Sequence, residues 1–229
     1  MKTVLITGIG KGIGKALKER FLSEGYFVVG TFNSEKPEDE KNFVSYNLDL
    51  SKKESITSCA KGISKLGLPA QAGKKIDILI NNAGVMLDDG IEILIPDKLR
   101  QTLEVNLIGT ADFTEKNLAN LSKEAHIVFV SSEAGSVTLT EEGISHEPGY
   151  YPAYKISKAA LNMYMATLAD RTMKEGLTVS AVHPGWVRTS LGGDEAPILP
   201  EEAANDIFKL AISKPQTGGF WFKGKREPW

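Results

Sequence analysis

The chain has 229 residues, of which 41% are hydrophobic and 24% charged, and its formal net charge is −2. This length suits one large α/β domain or two small ones. The near-neutral charge gives no reason to expect a nucleic acid or a membrane as partner. The single cysteine, Cys59, excludes an internal disulfide, and without neighbouring histidines or cysteines no metal site is expected. We find no signal peptide and no apolar run of membrane-spanning length, so we expect a cytoplasmic protein.

The N-terminal segment has the pattern of a strand, a glycine-rich turn, a helix and a second strand. Lys2–Thr7 is short and almost continuously apolar, as in a strand buried on both faces of a parallel sheet. Residues 8–14 are rich in glycine, Lys15–Glu24 has helical spacing, and Phe27–Phe32 is again strand-like. This order predicts a dinucleotide-binding βαβ unit.

Three glycines of the turn have distinct physical roles. Gly8 permits the sharp turn that leaves the strand, Gly12 lets the backbone approach a pyrophosphate, and Gly14 allows close packing of helix on sheet. The helix that begins beside Ile13 offers free N–H groups and a partial positive charge to the phosphates. We therefore expect the turn to bind the pyrophosphate of a dinucleotide.

The rest of the chain alternates strand and helix patterns without a repeat or a linker. We predict a single domain over residues 1–229, with a doubly wound Rossmann fold and a parallel sheet of about seven strands. A long amphipathic helix is expected over Asp97–Leu121, and another over Ala153–Thr172. The other predicted elements are strands Val44–Leu48, Ile76–Ile80, His126–Ser131 and Thr178–His183, helices Ser51–Ser64 and Pro200–Ile212, and a last strand from Gly218.

Tyr154 and Lys158 stand four residues apart in the second long helix, and positions i and i+4 share one helix face. A free tyrosine has a pKa of about 10, and a nearby ammonium lowers that pKa because it favours the phenolate. The pair is a candidate general acid/base. The alternative is that both side chains lie on a solvated helix face.

Five motifs, in order, resemble the short-chain dehydrogenase/reductase family over essentially the whole chain. The motifs are Thr7-Gly8-x-x-x-Gly12-Ile13-Gly14, Asn81-Asn82-Ala83-Gly84, Ser132-x-x-Gly135, Tyr154-x-x-x-Lys158 and Pro184-Gly185. The long segment before Tyr154 and the Gly–Pro–Trp pattern near the end of the chain are similar to carbonyl reductases, sniffer-like proteins and C-factor-like proteins. The resemblance implies hydride transfer between NADP(H) and a carbonyl or alcohol substrate.

The resemblance also implies the catalytic roles. Tyr154 is the acid/base, Lys158 lowers the pKa of the tyrosine and holds the nicotinamide ribose, and Ser132 hydrogen-bonds the substrate oxygen, with Ser131 as a minor alternative. Asn106 corresponds to the family's asparagine that distorts its helix and holds a water between the lysine and solvent. The alternative for Asn106 is a helix-capping or internally satisfied side chain.

Further cofactor contacts are carried over from the family. Asn82, Ala83 and Gly84 leave room for the ribose, and Asp49 contacts the adenine, although Asp49 is also well placed to cap the next helix. The remaining residues expected to contact the cofactor are Leu50, Pro184, Gly185, Val187 and Thr189.

Two features favour NADP(H) over NAD(H). The second strand ends in Thr31-Phe32-Asn33-Ser34, without the carboxylate that would bind a ribose 2′-hydroxyl. Asn33 and Ser34 can hydrogen-bond a 2′-phosphate, and Lys11 can supply a positive charge. The alternative for Lys11 is a solvated turn lysine.

Two other functions remain open: a C-factor-like protein that binds NAD(P) for signalling with little turnover, and another reaction on the same fold, such as epimerisation or dehydration. Substrate contacts are expected from Val85–Ile95, Gly135–Tyr150 and Ser190–Pro200. His146, in the middle segment, is more simply a loop residue than a catalyst. The family's mode of pairing, through the two long helices, makes a homodimer or homotetramer possible.

Overall fold

A computed structural model describes residues 1–38, 40–67, 75–143 and 151–229. Its strands are β1 Thr3–Ile6, β2 Phe27–Phe32, β3 Phe43–Asn47, β4 Ile76–Asn81, β5 Leu121–Val130, β6 Thr178–Val182, β7 Gly219–Phe222 and β8 Lys225–Glu227. They form one eight-stranded sheet with the order β3-β2-β1-β4-β5-β6-β7-β8. Neighbouring strands are parallel up to β7, and β8 is antiparallel to β7.

Helices cover both faces of this sheet, as a doubly wound fold requires. One core holds buried side chains of α2, α4 and α6, and the other holds those of α1 and α7. The helices are α1 Gly12–Ser23, α2 Lys53–Ser64, α3 Pro96–Leu103, α4 Thr110–Asn117, α5 Val137–Glu141, α6 Pro152–Thr172 and α7 Pro200–Ile212. The predicted Rossmann fold is confirmed.

The continuous apolar pattern of β1 follows from its central place in the sheet. Val4 and Ile6 point into one core and Leu5 into the other, because successive strand residues alternate between faces. Cys59 lies buried on α2, where burial raises the pKa of its thiol to about 12. No helix in the described ranges is long and apolar enough to cross a membrane.

The helix predicted over Asp97–Leu121 is wrong as one element. An α-helix ends at Leu103, a π-helical turn spans Glu104–Gly109, and α4 ends at Asn117. A 3₁₀ turn then leads to Leu121, which begins β5 and pairs with Ile76. The contacts of Asn106, given below, accompany the π turn, and the pairing of Leu121 with Ile76 places the end of the predicted helix in the sheet.

The end of the chain also differs from the prediction of a single last strand. Lys223 and Gly224 have positive φ values of 46° and 78°. These two residues form a tight turn, which reverses the chain so that β8 lies beside β7. The sheet therefore gains an antiparallel edge strand.

A buried histidine should make folding stability depend on pH. His126 contacts the Ala211 carbonyl through Nδ1 at 3.1 Å and the Ser180 hydroxyl through Nε2 at 2.9 Å. Burial lowers its pKa to about 4. As pH falls from about 6.5 to about 4, the unfolded chain takes up a proton that the folded chain does not. Stability should fall over that window, by about 3 kcal/mol for a shift of this size.

The measurement is urea unfolding at pH 7, 6, 5 and 4 for the wild type and for His126→Gln. The glutamine variant should be less stable at neutral pH and should lose the contribution of His126 to the pH slope. An equal slope in both proteins would contradict the assignment.

Candidate active site

The candidate site lies where the carboxyl ends of β1, β4, β5 and β6 meet. Thr7 follows β1, Asn82 follows β4 and Ser132 follows β5, while Pro184 stands shortly after β6. Parallel neighbouring strands bring these segments to one edge of the sheet, which is the usual ligand position in open α/β folds.

Three glycines of the turn, Gly8, Gly12 and Gly14, leave little room for a side chain, whereas Gly10 faces open space. Gly8 and Gly12 have φ values of +73° and +53°, which favour glycine. A Cβ on Gly14 would lie 2.0 Å from the carbonyl oxygen of Gly8, and a Cβ on Gly12 would lie 3.0 Å from a methyl carbon of Thr189. Thr189 therefore lies directly against the glycine turn.

The N-terminus of α1 is open to an anion. Its N-cap, Lys11, makes no side-chain capping bond, and no acidic residue lies in the first turn. Uncapped N–H groups at a helix N-terminus suit a phosphate. The residues present therefore fit the pyrophosphate of a dinucleotide, and Ile13, half-buried in this first turn, packs against the core beneath it.

Thr7 and Asn82 fasten the glycine turn to the end of β4. The Thr7 hydroxyl accepts hydrogen bonds from the N–H groups of Asn82 (2.9 Å) and Ala83 (3.0 Å). The Asn82 carboxamide donates to the Thr7 carbonyl at 2.9 Å. Ala83 is also in contact with Gly8, since a Cβ on Gly8 would lie 3.0 Å from the Ala83 Cβ. Asn82 thus holds the glycine turn and the end of β4 in register.

Tyr154, Ser132 and Lys158 come together as predicted. The Ser132 side chain lies close enough to the Tyr154 phenol to lower its pKa, and the Lys158 ammonium lies 5.5 Å from the centre of the Tyr154 ring. Lys158 is buried and donates to the Val130 carbonyl at 3.0 Å. The alternative of a solvated helix face is therefore excluded for this pair.

The expected lowering of the tyrosine pKa is wrong for this structure. Burial raises the pKa of Tyr154 to about 12, and the hydrogen bond from Ser132 only partly opposes this. Burial also lowers the pKa of Lys158 to about 8. Desolvation penalises the charged form of both groups, so Tyr154 is a protonated phenol at neutral pH.

Asn106 lies in the π-helical turn and is buried. Its carboxamide oxygen accepts from the Val85 N–H at 2.8 Å, while its nitrogen donates to the Val85 carbonyl at 2.8 Å and to the Ser157 hydroxyl at 3.0 Å. A Cβ on Gly84 would lie 3.2 Å from the Asn106 oxygen and 3.5 Å from the Lys158 nitrogen. The helix is distorted at Asn106, as the resemblance implied.

Ser131 and Ser132 have different surroundings. Ser131 is buried and donates to the Asn162 carboxamide oxygen at 2.6 Å, and Asn162 in turn donates to the Gly135 carbonyl at 3.2 Å. Ser132 contacts the phenol instead. The Ser131 hydroxyl is therefore occupied by an internal contact, whereas Ser132 lies beside Tyr154.

The residues expected around the adenine and the 2′-position are spread along the strand ends. Lys11, Asn33 and Ser34 are exposed. Asp49 accepts from the N–H and hydroxyl of Ser51, and the Ser51 side chain is the first cause of its lowered pKa. The N-cap of α2 is Lys52, without a side-chain capping bond, so the alternative role of Asp49 as a helix cap is wrong. Leu50 is buried with its carbonyl against Gly109.

The segment that follows β6 forms another side of the candidate site. Gly185 has a φ of +78°, and a Cβ there would lie 2.5 Å from Ile198. Val187 is buried and pairs with Ile198 through an isolated bridge, and Pro184 is half-buried. This arrangement directs the chain from β6 back toward the glycine turn, where Thr189 lies.

Sequence reasoning missed one buried acidic residue, Asp88, which accepts from the Ala153 N–H at 2.6 Å at the start of α6. It stands in an irregular stretch and belongs to no motif, so only the folded structure reveals it. His146 and Tyr150 lie outside the described residues. Among the residues that are described, no group of three or more His, Cys, Asp or Glu could hold a metal ion.

Comparison with known proteins supports the resemblance. The family described as short chain dehydrogenase matches residues 2–197. The chain is 30% identical to 1-hydroxy-2-glutathionyl-2-methyl-3-butene dehydrogenase of Rhodococcus sp. (strain AD45), over 96% of this chain and 95% of that protein. It is also 30% identical to C-signal of Myxococcus xanthus, over 67% of this chain and 93% of that protein.

A solved structure shows the same fold. The NADPH-bound carbonyl reductase from chicken fatty liver superposes with a TM-score of 0.86 and 24% identity, covering 100% of this chain and 94% of that one. Together with the family match over residues 2–197, the fold and the site define a class: this chain belongs to the short-chain dehydrogenase family of oxidoreductases.

Alanine substitutions of Ser131 and Ser132 should differ in their effect on the free energy of unfolding. Ser131→Ala leaves the buried Asn162 oxygen without its donor and should reduce the free energy of unfolding by about 1–3 kcal/mol. Ser132→Ala removes a half-buried hydroxyl at the cleft and should change it by less than about 1 kcal/mol. Urea unfolding of both variants measures this, and a larger loss for Ser132→Ala would contradict the assignment.

Proposed function

We propose that this protein catalyses hydride transfer between NADP(H) and a carbonyl or alcohol substrate, with Tyr154 as the acid/base. The observation that carries the proposal is the burial of Tyr154 and Lys158 side by side, with the Lys158 ammonium 5.5 Å from the tyrosine ring and Ser132 beside the phenol. These groups adjoin a glycine turn and an uncapped helix N-terminus that suit a dinucleotide.

The nicotinamide, when bound, supplies or accepts the hydride at the substrate carbon. In the direction of reduction, the protonated Tyr154 phenol gives its proton to the carbonyl oxygen, so that C=O becomes CH–OH and a phenolate remains. Ser132 hydrogen-bonds the same oxygen and stabilises its developing negative charge. Both side chains must lie within hydrogen-bond reach of that oxygen.

Lys158 stabilises the phenolate that proton transfer leaves behind. A charge pair is strengthened in a buried site, and the bond to the Val130 carbonyl holds the ammonium in place. Lys158 also adjoins Gly84, so it is positioned to bind ribose hydroxyls beside that glycine. The role carried over to Asn106, a water-mediated proton path to solvent, is part of this proposal.

Tyr154→Phe should lower kcat at least 10²-fold, because general acid/base catalysis contributes about 10²–10⁴-fold. The dissociation constant for NADPH should stay within about twofold, since the phenol is asked to act on the substrate. NADPH oxidation with a panel of aldehydes, ketones and diketones gives kcat, and fluorescence titration gives the dissociation constant.

The matched control is Tyr164→Phe on the same helix. The Tyr164 hydroxyl donates to the Glu115 carboxylate at 3.0 Å, so it differs from the Tyr154 hydroxyl in its partner. This control should turn over like the wild type. Unchanged turnover in Tyr154→Phe would contradict the assignment of the acid/base.

The preference for NADP(H) is supported by the exposed ends of β1 and β2. Lys11 is an exposed cation beside Gly12, and Asn33 and Ser34 are exposed polar groups where a carboxylate would repel a 2′-phosphate. The structurally similar chicken carbonyl reductase holds NADPH.

Lys11→Ala should raise KM for NADPH about tenfold and leave KM for NADH nearly unchanged, because only NADPH carries the 2′-phosphate that the ammonium would bind. Lys15→Ala, which removes an exposed lysine from the same helix, is the control. Equal effects of Lys11→Ala on both cofactors would count against this assignment.

A second candidate is a regulatory protein that binds NADP(H) with little turnover, and the similarity to C-signal favours it. The buried contact between Ser132 and Tyr154 argues for catalysis instead, because cofactor binding alone does not need it. Tight NADPH binding without consumption across the carbonyl panel would favour the regulatory function.

Pairing of two copies through α4 and α6 belongs to the same proposal. Three apolar side chains of this region are exposed: Ile108 (52%), Ile156 (42%) and Met163 (68%). A shared interface would cover them.

A further inference from the structure

Asp88 is a buried carboxylate between the cofactor side of the site and the helix that carries Tyr154. Its exposure is 1%, and its Oδ2 atom accepts from the N–H of Ala153 at 2.6 Å. Ala153 immediately precedes Tyr154 in the first turn of α6. A contact on this turn therefore fixes the backbone from which the Tyr154 side chain extends.

The bond has the chemistry of a strong helix cap. A carboxylate that accepts a backbone N–H forms a charge-assisted bond, and negative charge is favourable at a helix N-terminus. The N-cap residue, Tyr151, makes no side-chain capping bond, and Pro152 has no N–H to offer. Asp88, which is 65 positions away in sequence, supplies the cap instead.

The other oxygen of Asp88 is less easily explained by stability. Within the described ranges, Oδ1 is buried without a hydrogen-bond partner. A buried acceptor without a partner is costly, and such a group in a native structure calls for an explanation. A role in positioning α6 would explain why a carboxylate is buried here, because a carboxylate can accept a hydrogen bond from the Ala153 N–H and an apolar side chain cannot.

The stretch that carries Asp88 is held at both ends. Asn106 binds the N–H and the carbonyl of Val85, and the Lys98 ammonium donates to the Leu87 carbonyl. The Asp88 carbonyl accepts from Ile91 N–H at 3.0 Å. Asp88 therefore links a fixed segment, which begins beside Gly84, to the first turn of α6.

We propose that Asp88 is a positioning residue for the reaction: through the Ala153 N–H it fixes the first turn of α6 and, with it, the place of the Tyr154 phenol relative to Ser132. This inference rests on the proposed function, because it takes Tyr154 as the acid/base. Asp88 touches neither cofactor nor substrate in this account.

The test is Asp88→Ala, measured against Asp77→Ala. Asp77 takes part in the same kind of bond, because its Oδ2 accepts from the Thr3 N–H at 2.8 Å. This bond lies at the amino ends of β1 and β4, at the sheet edge opposite the site. Both variants should lose stability. Only Asp88→Ala should lower kcat, by 10- to 100-fold, with NADPH affinity within twofold of the wild type.

Asp88→Asn supplies the rescue and remains informative if the alanine variant does not fold. It keeps the shape and one acceptor oxygen, but the bond loses its charge. We expect a two- to fivefold loss of kcat, together with faster hydrogen exchange of the α6 first-turn amides. Unchanged kcat with faster exchange would overturn the proposal, because the bond would then be structural only.

The outcomes separate this proposal from the proposed function. Absence of turnover in the wild type on every carbonyl of the panel would overturn both. Turnover in the wild type, with equal effects of Asp88→Ala and Asp77→Ala on kcat, would overturn the role of Asp88 alone.

Discussion

The site depends on the hydrogen bonds of one carboxamide, that of Asn106. It satisfies both backbone groups of Val85 and also reaches Ser157 on α6. Three parts of the molecule thereby meet at one buried side chain: the π-helical turn, the segment after β4, and α6. A buried polar network of this kind is stabilising only if its members are satisfied, so the three parts can shift only together.

Burial has opposite consequences for the two ionisable groups of the site. It raises the pKa of Tyr154 from 10.0 to about 12 and lowers that of Lys158 from 10.5 to about 8. Each shift of about two units corresponds to roughly 3 kcal/mol between the protonation states. The site therefore holds a neutral phenol beside an ammonium, a combination suited to giving a proton away and then stabilising the anion that remains.

Local patterns predicted most of the fold. The sequence of β1 is continuously apolar because both of its faces are covered, and Gly14 is required because a Cβ there would lie 2.0 Å from the Gly8 carbonyl oxygen. Tyr154 and Lys158 face one pocket because helix geometry alone places i and i+4 together. These features depend on neighbours in the chain, so a single sequence contains their signal.

The features that sequence reasoning missed depend on contacts across long separations. The π turn is held by bonds between positions 106 and 85, and the start of β5 by the pairing of Leu121 with Ile76. Asp88 caps a helix that begins more than sixty residues later. The pKa of Tyr154 is raised because the side chain is buried, and the spacing of Tyr154 and Lys158 along the helix does not reveal that burial.

The π-helical turn also restricts how the length of this chain can vary. A π turn holds more residues than an α turn, and one residue of an α-helix corresponds to a rotation of about 100°. A π turn that spans Glu104–Gly109 therefore turns the chain about as far as a regular helix with one residue fewer. Deleting a single residue there would restore a regular helix with little rotation of α4 relative to α3, so Phe113 would stay buried in its core. The widened turn that places Asn106 against Val85 would be lost, so the length of this helix is set by the contacts of Asn106 and not by the packing of the core.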